Sequence, residues 1–523
     1  MKFLYLKMAF NFQRKLISHT MYLFKRCFLL FLFLQLTLGL SPIQAQEHRV
    51  KTIVTTDGEI DDVDTFIRML LYANEFKLEG LVYSSSMWHY RGDGKGTKFI
   101  SKMPMTKEMY GEKTDLRWPG TNWIQELIQE YAKVYPNLIQ HSVFYPSPEE
   151  LMSLVRVGNI DFEGAMDKRT AGSEFIKEKL MSKDSEALFL QAWGGTNTIA
   201  RALKSIEEDY THAENWEAVK HFISSKAIIY TIMDQDDTYM NYISKKWPDI
   251  KVFYNAFQFG AFAYPWQRLV PKNQQKYFEG RFMGSQIINN HGPLLKKYYS
   301  YGDGQKQVGD PEHIHGDLNQ IKNAQWGSFD QYAFISEGDT PAYLHLVDIG
   351  LDNFDHPSYG GWGGRFVQSA EVPSRYEDGE LASDLNPETG KKDNYYPQTR
   401  WISAIQNDFA ARADWCIVPF EVANHPPQVN VEEPTAILAK PGATVKLHFS
   451  SSDIDGDSIQ HKVWNYTDLS TAKAEVKFDT TSAEITVGKT AVPNAEVHLI
   501  VEGTDTGTPP LTRYRRVVVK ISE

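Results

Sequence analysis

Val50-Lys-Thr-Ile-Val-Thr-Thr56, then Asp57-Gly-Glu-Ile-Asp-Asp62, then Val63-Asp-Thr-Phe-Ile-Arg-Met-Leu-Leu-Tyr-Ala73 is the stretch from which the fold is read. β-branched residues crowd its first part, as in a buried strand, and its last part spaces apolar side chains as a helix does. Leu78-Glu-Gly-Leu-Val-Tyr-Ser84 restarts strand character, so the order is strand, helix, strand, a βαβ unit. The alternation returns at 187–192 followed by 198–206, and at 226–233 followed by 238–247. The expected fold class is α/β with an open, mostly parallel sheet. Ligands in such sheets collect beyond the carboxyl ends of the strands, where Asp57, Trp193 and Asp234 emerge, so one crevice is expected to gather them.

The acidic turn between the first strand and helix crowds Asp57, Glu59, Asp61 and Asp62. Carboxylates packed this closely repel one another, and a hard cation such as Ca²⁺, which takes several oxygen ligands, relieves that repulsion. Helix capping is the competing explanation. It accounts for an acid at the helix start, because negative charge there is favourable, and it leaves Asp57 on the strand side unexplained.

The run Thr55-Thr-Asp-Gly-Glu-Ile-Asp-Asp62 resembles the Asp-Thr-Asp-Pro-Gly-Ile-Asp-Asp motif of nucleoside hydrolases, with Thr55 in place of the first Asp. The resemblance implies that Asp57 is general base and Ca²⁺ ligand, Asp62 a second ligand, and Asp61 a contact to a sugar hydroxyl. Trp193-Gly-Gly-Thr-Asn197 is similar to that family's Gly-Pro-Leu-Thr-Asn and implies a metal-directed carbonyl at Thr196, with Asn197 and Trp193 towards substrate. Glu337-Gly-Asp-Thr-Pro341 offers Asp339 where the family closes the metal site with a distal Asp. The family's sugar-binding Asn after the second strand is replaced by Ser84-Ser-Ser-Met-Trp-His89, so Trp88 is expected to stack on substrate and His89 to donate a proton. Asp234 and Asp236, in Asp234-Gln-Asp-Asp237, are further substrate candidates.

A wider resemblance covers most of the chain. Gln191-Ala-Trp-Gly-Gly-Thr-Asn197, Asp234-Gln-Asp-Asp237 and His356-Pro-Ser-Tyr-Gly-Gly-Trp-Gly-Gly-Arg365, with the acidic motifs, are similar to exported bacterial proteins described as cellulose-binding. Those have a nucleoside-hydrolase-like domain followed by an immunoglobulin-like one.

Composition agrees with an ordinary globular protein: 42% hydrophobic and 23% charged residues over 523 positions, more than one core usually supports. Residues 1–45 read as a signal peptide, with Lys25 and Arg26 before an apolar run, then Pro42 and Ala45. An exported protein, periplasmic or secreted, without a transmembrane anchor after signal removal, is therefore expected. Removing that segment takes six basic and no acidic residues, leaving 49 Lys+Arg against 66 Asp+Glu, a formal charge of −17. Such a charge argues against a nucleic acid polymer as partner. Of two cysteines, Cys27 leaves with the signal, and Cys416 in an apolar setting reads as a buried, inert thiol.

Residues 46–424 are assigned to the α/β domain, His425-Pro-Pro427 to a stiff linker, and 428–523 to a small all-β immunoglobulin-like sandwich of short alternating strands. Residues 355–400, rich in Gly, Pro and Tyr, are expected to form a long surface loop on which Trp362 stacks on sugar. Asp453-Ile-Asp-Gly-Asp457 resembles part of a Ca²⁺ loop, but an EF-hand needs Glu at its twelfth position, where Trp464 stands, so it reads as a solvated turn. His313-Ile-His315 reads as surface. A dehalogenase-type phosphatase needs Asp two residues after its nucleophile, where Glu59 stands. The resulting expectation is a calcium-dependent hydrolase of N-glycosidic bonds in a nucleoside-like substrate, with Asp57 as base. An O-furanosidase acting on glycan fragments and a non-catalytic binder of cellulose-type carbohydrate are the alternatives.

Overall fold

The computed structural model describes residues 49–309 and 315–523; the expected signal peptide and His313 lie outside them. Strand β1 (Lys51–Thr56) leads into helix α1 (Ile60–Leu71) and returns as β2 (Lys77–Tyr83). Helix α2 (Trp123–His141), strand β3 (Val155–Val157), helix α3 (Ala171–Met181), strand β4 (Leu188–Ala192) and helix α4 (Asn197–Tyr210) follow. After α5 (Trp216–Lys226) come β5 (Ala227–Ile232) and β6 (Lys251–Asn255). Short helix α6 (Thr340–Leu344), strands β7 (Val367–Gln368) and β8 (Arg375–Glu377), and helix α7 (Ile402–Trp415) complete this part.

The eight strands form one sheet in the order β3-β2-β1-β4-β5-β6-β8-β7, parallel throughout except for the last pair. β1 lies inside the sheet and both its faces are covered: Ile53 enters one hydrophobic core and Val54 the other. That two-sided burial is why the run is β-branched rather than alternating. Thr52 and Thr55 tolerate it because their hydroxyls donate to the Phe189 and Gln191 carbonyls on β4, at 2.9 and 3.1 Å.

Residues 355–400 depart from the expected surface loop. They supply β7 and β8, and Trp362 is fully buried. The glycines beside Trp362 serve close packing: a Cβ on Gly363 would stand 2.4 Å from the His345 nitrogen, and one on Gly361 2.7 Å from Asn353 Oδ1. The segment expected as a helix at 238–247 begins as a π-turn, Tyr239–Ile243.

Beyond Gln428 the chain forms a sandwich of two four-stranded sheets. Its strands are β9 (Gln428–Val431), β10 (Ala436–Ala439), β11 (Thr444–Ser452), β12 (Ile459–Asn465), β13 (Ala474–Phe478), β14 (Ser482–Val487), β15 (Glu496–Asp505) and β16 (Thr512–Ile521). Alternate residues such as Leu447, Phe449, Ile485, Leu499 and Val517 point inward to a core of their own. The sandwich also shares the larger core of the α/β part through Tyr466, Ile500 and Tyr514. The Tyr514 N–H donates to the Ile349 carbonyl at 3.0 Å, and buried Arg516 donates to the Leu351 carbonyl at 2.9 Å. Among the described residues no helix is long and apolar enough to cross a membrane.

Candidate metal centre

The turn from β1 into α1 places its acids for different tasks. Gly58 takes φ +83, and a Cβ there would stand 2.6 Å from Pro119, so no other residue fits without displacement. Glu59 occupies the N-cap position of α1 without a side-chain cap bond. Asp62 folds back onto the strand end, where its Oδ1 accepts from the Asp57 N–H at 3.2 Å and from the Thr56 hydroxyl. Helix capping therefore leaves most of the acidic turn unexplained.

Two distant turns converge on it. Between β4 and α4, a Cβ added to Gly194 would meet Asp57 Cγ at 2.7 Å; ahead of α6, one added to Gly338 would meet Asp61 Oδ2 at 2.8 Å. Asp339, N-cap of α6 with no cap bond, thereby joins Asp61 and Asp62, and one oxygen from each lies within 4.8 Å of the others. Burial, then the mutual repulsion of these acids, holds the Asp62 and Asp339 carboxyls well above the usual carboxylate range. Burial and the Asp57 carboxylate push Asp61 up to about 7, against the N–H groups of its own first turn and Arg117. Asp57 is 2% exposed, raised by burial, and its Oδ2 has no hydrogen-bond partner. A buried acid cluster with oxygen donors only and too few counter-charges fits a hard divalent cation such as Ca²⁺.

Asp61, Asp62 and Asp339 form the floor of a cavity of about 340 Å³, with Asp57 behind it. Its walls are aromatic: Trp88, Trp193, Tyr264 and Trp326, the last two stacked at 6.2 Å. Glu59, Arg117, Gln235 and His315 supply polar atoms. The Tyr264 hydroxyl donates to Glu59 at 3.1 Å, and Arg117 lies 3.9 Å from the same carboxylate. Arg117 and Met233, both lining residues, hold positive φ of 44° and 59°, so backbone strain is concentrated at the rim. His315, read from sequence as surface, is thus a wall residue, with its ring 5.9 Å from that of Tyr264.

The remaining candidates stand behind this surface. His89 is fully buried and outside the cavity lining, its Nδ1 3.8 Å from Asp57 and 3.9 Å from Glu59, facing the acids rather than open space. The Thr196 carbonyl accepts the Ala200 N–H at 2.9 Å as α4 begins, and its hydroxyl pairs with that of Thr238 at 2.6 Å. Asp236 accepts from the Asn197 N–H at 2.9 Å and from Thr238, pinning the 193–197 turn to the end of β5. Asp234 accepts the N–H groups of Tyr239 and Met240 at the π-turn. Asn197 spends its amide on Ser84, Ser85 and the Asn159 carbonyl. Trp362 lies under Arg513, 5.3 Å from its guanidinium, at the join to the sandwich. Asp234, Asp236, Asn197 and Trp362 are thus engaged in holding the scaffold, and none lines the cavity. Gln235 reaches it from the turn that Asp234 begins.

A family model described as "Cellulose-binding Sde182, nucleoside hydrolase-like domain" matches residues 51–366, and one described as "Cellulose-binding protein Sde0182, C-terminal domain" matches residues 444–521. A solved nucleoside hydrolase-related hypothetical protein from Saccharophagus degradans, associated with carbohydrate metabolism, is 25% identical. That similarity covers 91% of this chain and 100% of the other, with a TM-score of 0.65. The type III effector protein XopQ complexed with adenosine diphosphate ribose is 11% identical over 71% of this chain and 95% of its own, at a TM-score of 0.36. The plant nucleoside hydrolase PpNRh1 is 10% identical over 69% and 98%, at 0.31. No curated protein matches.

Proposed function

The chain belongs to the family of cellulose-binding Sde182 proteins with a nucleoside hydrolase-like domain, and from that premise we propose a calcium-dependent hydrolase of a glycosidic bond in a small sugar compound. The observation that carries the reading is the meeting of Asp61, Asp62 and Asp339, from two distant turns, within 4.8 Å at the floor of an aromatic-walled cavity. Asp62 and Asp339 of that cluster, joined from behind it by Asp57 and the Thr196 carbonyl as in the motifs of the nucleoside hydrolases, are the proposed ligands, with Asp61 left to the sugar. A bound Ca²⁺ supplies the positive charge that holds sugar hydroxyls and acidifies a water.

The chain's own groups do the rest. Asp57, buried with an Oδ2 that has no hydrogen-bond partner, takes the proton of the water whose oxygen bonds to the anomeric carbon as the glycosidic bond breaks. The electron pair of that bond departs with the leaving group, which takes up a proton at the cavity mouth, while Asp61 accepts from a sugar hydroxyl. His89 stands behind Asp57 and Glu59, 3.8 and 3.9 Å from their carboxylates. Trp88, Trp193, Tyr264 and Trp326 stack on the sugar and its leaving group and keep bulk water out. A cavity of this size admits one sugar unit with a compact leaving group, so the substrate is a nucleoside-like compound or a glycan fragment. Export to the periplasm or medium, implied by residues 1–45, would place the protein where such fragments arise.

The second reading is a carbohydrate binder without turnover, favoured by the aromatic walls and the cellulose-binding description of the family. Bound calcium and a screen of nucleosides and aryl furanosides, with native protein and Asp57→Ala, separate the two. Hydrolysis lost in Asp57→Ala supports the hydrolase; calcium and sugar binding with no turnover of any substrate supports the binder. A native protein without calcium defeats the metal reading.

A further inference from the structure

Asn424, Asp453 and Asp505, from three separate stretches of chain, stand near one end of the β-sandwich, and Asn424 is bonded to Asp505 there at 3.2 Å. Asp453 opens the turn between β11 and β12, where its Oδ1 accepts the N–H groups of Asp455 at 2.8 Å and Asp457 at 3.3 Å, and Gly456 takes φ +85. Asp505 ends β15 opposite Ile459, the first residue of β12. Its Oδ1 is satisfied three times, by the Asn424 amide at 3.2 Å and by the N–H groups of Gly507 at 3.0 Å and Leu511 at 2.9 Å. Asn424 also donates to the Pro509 carbonyl at 2.7 Å. The next residue, His425, gives its N–H and Nδ1 to Asp455, at 2.6 and 3.0 Å. Consecutive residues are therefore bonded one to Asp505 and the other to the 453–457 turn, which sets the two acids on either side of one dipeptide.

What is left over points to a ligand. Asp453 Oδ2, Asp505 Oδ2 and Asn424 Oδ1 are all buried atoms, and none has a hydrogen-bond partner. Asp505 is 3% exposed and Asn424 7% exposed, so water does not reach their spare oxygens freely. A buried acceptor left without a donor costs about 1–3 kcal/mol, and more when charged. Burial raises the Asp505 carboxyl. Carboxylate and amide oxygens with no thiolate or free imidazole among them suit Ca²⁺, whose tolerance of irregular geometry fits donors drawn from three stretches of chain.

We propose that Asn424, Asp453 and Asp505 form a structural Ca²⁺ site, completed by backbone carbonyls and water. The EF-hand objection to the Asp453-Ile-Asp-Gly-Asp457 turn falls away, because the distal acid comes from β15 instead of the loop's own twelfth position. The ion fastens the chain where it leaves the α/β part, since the Trp415 indole of α7 donates to the Asn424 carbonyl at 3.0 Å.

Equilibrium dialysis of the full chain against ⁴⁵Ca²⁺, after stripping with chelator, tests the assignment and separates it from the cavity site. Two ions per chain are expected in the native protein. One is expected to remain in Asp61→Asn/Asp339→Asn, and one in Asp453→Asn, a change on a half-exposed turn that leaves the Asp505 bonds in place. Adding Ca²⁺ should raise the melting temperature of Asp61→Asn/Asp339→Asn and leave that of the same variant carrying Asp453→Asn unmoved. The assignment is overturned if Asp61→Asn/Asp339→Asn binds no calcium, or if Asp453→Asn and Asp505→Asn both keep the native stoichiometry.

Discussion

Gly194 lies so close to Asp57 that a single added carbon would stand 2.7 Å from the carboxylate carbon and 3.0 Å from its Oδ1. The turn after β4 thereby sets the position of the proposed base from outside its own loop. Gly194→Ala is expected to push Asp57 away from Asp61 and Asp62. Supporting positions of this kind change metal affinity or activity by roughly 10- to 100-fold. Calcium titration and turnover should both fall by that order while the far-ultraviolet circular dichroism stays native; unchanged affinity and turnover would remove Gly194 from the site.

Arg68 and Glu337 form an ion pair at 2.9 Å with both side chains fully buried. Arg68 comes from α1, which carries Asp61 and Asp62, and Glu337 stands two residues before Asp339. The guanidinium also donates to Gln406 and the Ile405 carbonyl and lies over the Phe409 ring, and Tyr298 and Thr340 donate to Glu337. Removing one partner strands the other charge, so Arg68→Ala should destabilise the protein by about 3–5 kcal/mol in urea unfolding. Arg68→Met/Glu337→Gln should recover part of that loss. A loss below about 1 kcal/mol for Arg68→Ala would show that the pair does not hold the two acid-bearing segments together.

The acids of the floor were legible because each sits at a strand end or a helix start, where local pattern marks the turn. The opposite wall was not. Arg117 stands in an irregular stretch ahead of α2, and Tyr264, His315 and Trp326 in stretches where 3-10 turns recur, so no sustained spacing shows which side chain faces inward. Glu59 was visible as an acid, but its bonds to Tyr264 and its nearness to His89 depend on those same stretches. At Asp234, Asp236 and Asn197 a polar residue at a strand end reads equally as ligand or as cap, and the structure gives all three to backbone N–H groups, hydroxyls or carbonyls of the scaffold. Trp362 misled for another reason: glycines that admit close packing look in sequence like glycines of an open loop.

Asp408 ties helix α7 to the sandwich through Arg513 at 2.9 Å, with Arg412 on its other side at 2.8 Å. Burial alone would raise its carboxyl; Arg513 and Arg412 outweigh that and hold it at about 2, below the ordinary 3.8. A depressed carboxyl stabilises the fold above its unfolded pKa and ceases to do so as the pH falls through the folded value. Asp408→Asn should therefore cost about 2 kcal/mol at about pH 5 and above, with the difference from native shrinking between about pH 4 and pH 2. Urea midpoints across that range check it; a difference that does not change with pH would mean that the charge on Asp408 contributes nothing.

Trp326 closes the cavity opposite the acids, stacked on Tyr264 and with Arg268 5.6 Å beneath its ring. It is half-buried and carries no metal-ligating oxygen, so replacing it should separate sugar binding from metal binding. Loss of an aromatic face of this size is worth about 1.5–3 kcal/mol, roughly ten- to hundred-fold in affinity. Trp326→Ala should weaken binding of a hydrolysed substrate or bound sugar by that factor and leave calcium affinity unchanged. Tyr264→Phe, which keeps the ring and removes the hydroxyl held by Glu59, should bind nearly normally and reveal in turnover whether that bond matters to the leaving group. If Trp326→Ala binds sugar as tightly as the native protein, substrate does not use this wall, and the open side of the metal centre must be sought along Trp88 and Trp193 instead.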